Sequence, residues 1–419
     1  MNKFEEKIVG YETVVNDLMG IIDIIKNPEI YRKLGAEICR GVMLEGDPGT
    51  GKTLMATAFL EECGLPSFTV RRNTSTEQFI EELNATFKAA SEQAPSVILL
   101  DDIDKMAPEE KNSEEYSVLQ ALIDSVHDKQ VFIIATANCT HDLPESLTRA
   151  GRFDRWISFS TPSREDGEKI VKYYISKKPI SDDVNLSDVA KMLSYKSCAA
   201  IDSVINLAAI EAGRERCSKI EMRHLVNASL TEVYGVVNRC DRLSGEEKLA
   251  IAYHEAGHAV VSDVLLEGSV GLVSICSTRR HNMGGFMLKC LDFDRRAHLV
   301  LISLAGKAGY ELHYGKIAPG TKNDLAHACD HLSKSTKTIG TYGVANLGFG
   351  NESQYQDARS EVVVTAELER YIFKAKEILA ENCEFLDKLA AELIEKETLL
   401  NSDIARIRAT CTIKPAIVG

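Results

Sequence analysis

The chain has 419 residues, 44% hydrophobic and 26% charged. At about 100–200 residues per domain this predicts two to four domains with ample core, and it excludes disorder as the main state. The 27 Gly and 10 Pro exclude collagen-like and low-complexity classes, and a net charge of −13 leaves no basic surplus for phosphates, so nucleic acid is not expected as a partner.

Met1–Gly10 carries Lys3, Glu5, Glu6 and Lys7 with no long apolar block, and does not read as a signal peptide. Gly41–Glu45, Ser67–Val70, Val97–Leu100 and Val131–Ala135 read as buried strands, all too short to cross a membrane. Helix-length segments separate them, which predicts βαβ units and a parallel sheet. From about Ser163 to Arg239 the strand signals stop, and Glu165–Tyr174, Asp188–Leu193 and Ala199–Arg216 read as a small helical subdomain. Asn238–Gly245 is the expected linker. The remainder reads as mostly helical, with apolar residues at helical spacing through Tyr371–Leu399 and a small sheet over Gly268–Met287. The 11 cysteines, odd in number and without a C-x-x-C pair, point to reduced thiols and a cytoplasmic setting.

Gly46-Asp47-Pro48-Gly49-Thr50-Gly51-Lys52-Thr53 matches G-x-x-x-x-G-K-[ST] between a strand and a helix. Its backbone N–H groups can close around phosphate, Lys52 adds charge at the terminal phosphates, and Thr53 offers a hydroxyl to Mg²⁺. About fifty residues on, a buried strand ends in Asp101-Asp102. These acids suit a magnesium-holding carboxylate and a group that polarises attacking water. Asn138, after the next strand, is placed to orient water or touch the terminal phosphate. Arg152 and Arg155, within Arg149–Arg155, suggest fingers that reach a neighbouring subunit's nucleotide. A solvated basic turn is the bland alternative.

These segments resemble an AAA+ ATPase module, a nucleotide-binding sheet with a helical lid. Ile8-Val9-Gly10 resembles the adenine-pocket segment, which assigns Val9 and Gly10 to the nucleotide. The resemblance implies a hexameric ring in which Arg152 and Arg155 complete the adjacent site.

Tyr253-His254-Glu255-Ala256-Gly257-His258 contains H-E-x-x-H in a helical stretch. Side chains at i and i+4 share a face, so His254 and His258 can hold one zinc ion, with Glu255 taking a proton from its water. A third ligand must come from elsewhere. Asp324, at a helix start after Pro319-Gly320, is one candidate; His327 and His331 lie on roughly its face and offer nitrogen instead.

The pairing of this module with H-E-A-G-H resembles the FtsH family of ATP-dependent zinc proteases across nearly the full chain. Gly46–Thr53, Arg149–Arg155, Ala252–Ala259, Ala305-Gly306-Lys307 and Gly320–Leu325 carry the likeness. It implies Zn²⁺ held by His254, His258 and Asp324, ATP with Mg²⁺, protein substrates, and an α/β module (1–162), a helical lid (163–240) and a mostly α-helical zinc peptidase domain (241–419). Three departures stand out. The sequence starts almost directly at the ATPase-like module, without the family's N-terminal membrane helices, which reads as a soluble member or a truncation, the former expected, with recruitment by a membrane partner left open. The region Asn73–Asn84 lacks the pore-loop glycines, and Phe79 reads as core rather than as a substrate grip. The acidic pair is Asp-Asp rather than Asp-Glu, which predicts slow hydrolysis. Two rival readings follow: a zinc peptidase whose nucleotide half is an assembly switch, and a remodelling ATPase with an inactive peptidase half.

Overall fold

The computed structural model describes the chain except residues 1, 37–38, 107–113, 127, 142, 149–150, 239–242, 279–284, 294, 319–320, 336–353 and 417–419, with backbone alone at 354–360. It forms two compact units, Met1–Lys177 with Tyr195–Ser203, and Lys178–Ser194 with Val204–Gly419.

The first unit is built on β1 (Gly41–Gly46), β2 (Ser67–Val70), β3 (Ser96–Leu100), β4 (Val131–Ala137) and β5 (Arg155–Phe159). They pair in parallel in the order β2-β3-β4-β1-β5. The runs Val42–Leu44, Val97–Leu100 and Phe132–Ala135 are apolar on both faces because helices cover both sides of a parallel sheet. Alternation then sorts them. Val42, Leu44, Val97, Leu99, Phe132 and Ile134 pack against Phe59 and Leu18, whereas Met43, Ile98, Leu100, Ile133 and Ala135 face Phe79, Phe87 and Tyr116. Phe79 is fully buried on the continuous helix Thr76–Glu92, so it belongs to the core as expected.

In the second unit the helix Gly245–Leu265 opens with a capping box. The Ser244 hydroxyl accepts from the Glu247 N–H (3.2 Å), and the Glu247 carboxylate accepts from the Ser244 N–H (2.8 Å). The expected linker falls partly on residues 239–242, outside the described residues. Ala252, Ala256, Ala259 and Val260 of this helix pack on Leu301, Leu304, Ala305 and Ala308 of the helix Arg296–Tyr314, in one core with Tyr371, Leu379, Leu389 and Leu393. The two helices cross closely: a Cβ on Gly257 would lie 2.4 Å from the Ala305 carbonyl oxygen. β6 (Val236–Asn238) pairs with β8 (Ser277–Thr278). β7 (Val270–Ser274) is flanked antiparallel by β9 (Phe286–Lys289) and β10 (Thr398–Leu400). The stripe Tyr371–Leu399 is not one helix. It breaks at Asn382, whose amide donates to the Ile378 carbonyl (2.8 Å), and Leu399 lies in β10. Among the described residues no helix is long and apolar enough to cross a membrane.

Candidate functional site

One helical turn separates His254 from His258, and their Nε2 atoms stand 3.2 Å apart. Asp324, in the first turn of the helix Lys322–Lys334, brings Oδ2 to 3.0 Å from His254 Nε2 and 3.5 Å from His258 Nε2. These atoms form a near-equilateral triangle. Three hydrogen bonds cannot fill such a triangle, because angles near 60° are far from the linear geometry they need. It does match one face of a tetrahedron around zinc, whose ligand atoms stand about 3.3–3.5 Å apart at normal zinc–ligand lengths. His258 Nδ1 lies 2.6 Å from the Ile302 carbonyl oxygen, to which it donates its proton. That leaves the Nε2 lone pair for a metal. His254 and Asp324 keep 20% and 25% of their side chains exposed against 9% for His258, so the open side of the triangle faces solvent. His327 is exposed, while His331 sits near Lys289 and Arg296, which with burial push its pKa down. Neither is in the cluster.

The charges fit a cation site. Burial alone would push the Asp324 carboxyl up, but the two imidazoles hold it well below the usual carboxylate range. Burial opposes charge on His258 too, yet the Asp324 carboxylate raises its pKa to about 9, so positive charge is favoured at Nε2 and a metal would bind there by displacing a proton. Glu255 is buried, and desolvation lifts its carboxyl to about 6 against the pull of both histidines.

Two glycines shape this pocket. A Cβ on Gly306 would stand 2.3 Å from His258 Nε2 and 2.6 Å from His254 Cε1, so only glycine lets the facing helix lie under both rings. Gly285 has φ +103°, and a Cβ there would stand 2.4 Å from Glu255 Oε1. Gly285 and Ile302 escaped the sequence reading; Gly306 entered it only as part of a family-like segment.

At the nucleotide motif, the loop after β1 leads into the helix Lys52–Cys63. Lys52 is buried and folded back: Nζ donates to the Gly46 and Asp47 carbonyls (2.7 and 2.8 Å) and to Asn138 Oδ1 (2.9 Å). Burial lowers its pKa, against the pull of Asp102. The Thr50 hydroxyl donates to the Asp47 carbonyl (2.8 Å), the Gly49 carbonyl accepts from the Ala199 N–H (3.1 Å), and Gly51 and Pro48 complete the turn. Thr53 donates its hydroxyl to Asp101 Oδ1 (2.9 Å), as does Thr136 (2.7 Å). Asp102 adopts a left-handed conformation (φ +56°), with its carboxylate accepting from Lys105 (2.9 Å) and facing the Asn138 amide (3.4 Å). A hydroxyl beside a buried carboxylate suits Mg²⁺, a cation that prefers oxygen ligands.

Gly10 lies against Asp166, where a Cβ would stand 2.9 Å away, and Val9 precedes it, half-buried. Arg152 makes a two-pronged pair with Asp124 (2.9 and 2.7 Å) and also donates to the Ser146 carbonyl. Arg155 is exposed and opens β5, a strand the sequence reading did not assign. Arg149 lies outside the described residues. Arg71, which the sequence reading passed over, pairs with Asp101 Oδ2. Two arginines directly after β2, beside an acidic pair closing β3, were the available signal.

Glu215, Cys217 and His224 also stand together. There His224 Nδ1 accepts from the Glu221 N–H (3.0 Å), so Nε2 carries the proton toward Glu215 (3.2 Å) and has no lone pair for a metal. This histidine is a helix cap.

Residues 42–161 match the family of ATPases associated with various cellular activities (AAA), and residues 241–407 match peptidase family M41. The fold and both sites therefore define a nucleotide module joined to a metallopeptidase module. Proteins named ATP-dependent zinc metalloprotease FtsH from Lachnoclostridium phytofermentans and the aster yellows witches'-broom phytoplasma are 33% and 30% identical over 92% and 96% of the chain, and the alignments span 71% and 63% of those proteins. FtsH 2 of Sphaerobacter thermophilus is 31% identical, with 94% of this chain and 64% of that protein aligned. The chain belongs to the FtsH family.

Proposed function

We propose that the chain is an ATP-dependent zinc endopeptidase acting on protein substrates. The observation that carries this is the triangle of His254, His258 and Asp324 donor atoms, with sides of 3.0, 3.2 and 3.5 Å, beside a buried Glu255. His254, His258 and Asp324 would hold zinc, which would supply Lewis acidity and lower the pKa of a bound water to about 7. Glu255 takes the proton from the attacking water and delivers it to the leaving amine nitrogen. Burial, which favours its neutral form, suits a carboxyl that must both take up and give back a proton. His258 is held in its ligating tautomer by Ile302, and Gly306 lets both rings face Asp324.

On the nucleotide side, Gly46, Asp47, Pro48, Gly49, Thr50 and Gly51 cradle the phosphates with Lys52. Thr53 and Asp101 hold Mg²⁺, Asn138 and Asp102 orient the attacking water, and Val9 and Gly10 border the adenine. The chain works as a cytoplasmic homohexamer divided at 1–162, 163–240 and 241–419, in which Arg152 and Arg155 act on the neighbouring nucleotide. Replacing Glu255 with Gln should reduce casein cleavage by at least about 100-fold while leaving ATP hydrolysis intact. Persistent cleavage, or purified protein without zinc, would reject the reading.

A further inference from the structure

Both oxygens of the buried Asp101 carboxylate are engaged by the chain itself. Oδ1 accepts from Thr53 and Thr136 (2.9 and 2.7 Å), and Oδ2 is paired with the Arg71 guanidinium, which also stands 3.9 Å from Asp102 Oδ2. Strand register fixes this pairing. Val70 pairs with Leu100, and the Asp101 N–H donates to the Val70 carbonyl (3.0 Å), so the residue after β2 stands beside the residue after β3. Its neighbour is engaged elsewhere, since Arg72 pairs with Glu115 (3.1 Å). Arg71 is 48% exposed whereas Asp101 is 3% exposed. The guanidinium therefore covers the solvent side of a buried carboxylate and has water to move into.

Resting on the nucleotide-site reading above, we propose that Arg71 is a built-in competitor of magnesium for Asp101. A guanidinium and a divalent cation on the same carboxylate repel each other and divide its charge between them, so magnesium-nucleotide enters as the guanidinium leaves. The exchange tunes how much magnesium nucleotide binding requires, and it leaves the acidic pair neutralised when the site holds no metal. The position acts on the metal through Asp101 and is a positioning residue.

The test is titration of a fluorescent ADP analogue with Mg²⁺, comparing the full chain with Arg71→Ala and Arg71→Gln. Both variants should reach half-saturation at about fivefold lower Mg²⁺, the scale expected of a partly exposed ion pair. Their affinity for the analogue in EDTA should match that of the unmodified chain. An unchanged or raised magnesium midpoint overturns the proposal. So does a shift in Arg71→Ala that Arg71→Gln lacks, which would trace to packing rather than charge. Equal weakening in EDTA would mean that Arg71 holds phosphate directly, and also overturns it. Failure of the unmodified chain to bind the analogue at all would reject the nucleotide site itself, a distinct outcome.

Discussion

The candidate metal centre and the candidate nucleotide site present cation-binding side chains in opposite ways. At the candidate metal centre, His254 and His258 on one helix and Asp324 on another bring their donor atoms together, and no other described residue joins that cluster. Around the nucleotide loop every key polar atom already has a partner: Lys52 on Gly46, Asp47 and Asn138, Asp101 on Thr53, Thr136 and Arg71, Asp102 on Lys105. The first is preorganised, because a buried imidazole–carboxylate cluster without a cation is costly. On the proposed function the second is poised for exchange, since a resident metal would keep its place whereas nucleotide would enter and leave in every cycle.

If preorganisation rests on the close helix crossing, one methyl group should destroy it. Gly306→Ala places a Cβ 2.3 Å from His258 Nε2 and is expected to weaken zinc binding by at least about 100-fold, with proteolysis lost alongside. Zinc per chain after dialysis, measured beside the circular dichroism melting curve, checks this. Retained zinc in a folded variant would break the comparison. ATP hydrolysis by the same variant should persist, as it should after chelation of zinc.

The nucleotide site offers a change in the other direction. Asp102 is one methylene shorter than Glu, and a misplacement near 1 Å can cost on the order of 100-fold in rate. Asp102→Glu is therefore expected to raise ATP hydrolysis by about tenfold. Its left-handed backbone, φ +56°, tolerates Asp better than Glu, so a small loss of stability should accompany the gain. Equal rates for the two chains, measured by phosphate release, would sink the reach argument.

The same contrast explains what the sequence disclosed. Motifs confined to one turn were legible: the glycine loop, H-E-A-G-H and the strands around Ser67–Val70 carry their chemistry in local spacing. Asp324 was one of three candidates, because a ligand 66 residues beyond His258 has no local signature. Phe79 read as core because its helix is continuous, and it is fully buried. β5 was missed because Arg155-Trp156-Ile157-Ser158-Phe159 alternates on an edge strand and lacks a continuous apolar run. The break at Asn382 was hidden because the apolar spacing carries on past it while a tertiary contact, the Lys414 N–H to Asn382 Oδ1 (2.9 Å), holds the turn. Gly285, Ile302 and Arg71 act only through neighbours distant in sequence, so periodicity could not reveal them.

The smallest expected effect concerns Arg152, which is 20% exposed and clamped by both oxygens of Asp124. A guanidinium that serves a neighbouring subunit must be aimed before that subunit arrives, and the two-pronged pair fixes its plane as a lysine could not. Asp124→Asn keeps one acceptor but removes the charge, so ATP hydrolysis at assembled concentrations should fall only about threefold, the value of a partly exposed pair. Arg152→Ala should cost on the order of 1,000-fold if the side chain acts in the transition state. Hydrolysis followed against protein concentration separates the two. Were Arg152→Ala no worse than Asp124→Asn, Arg152 would be a structural partner of Asp124 alone, and the role of finger would pass to the exposed Arg155.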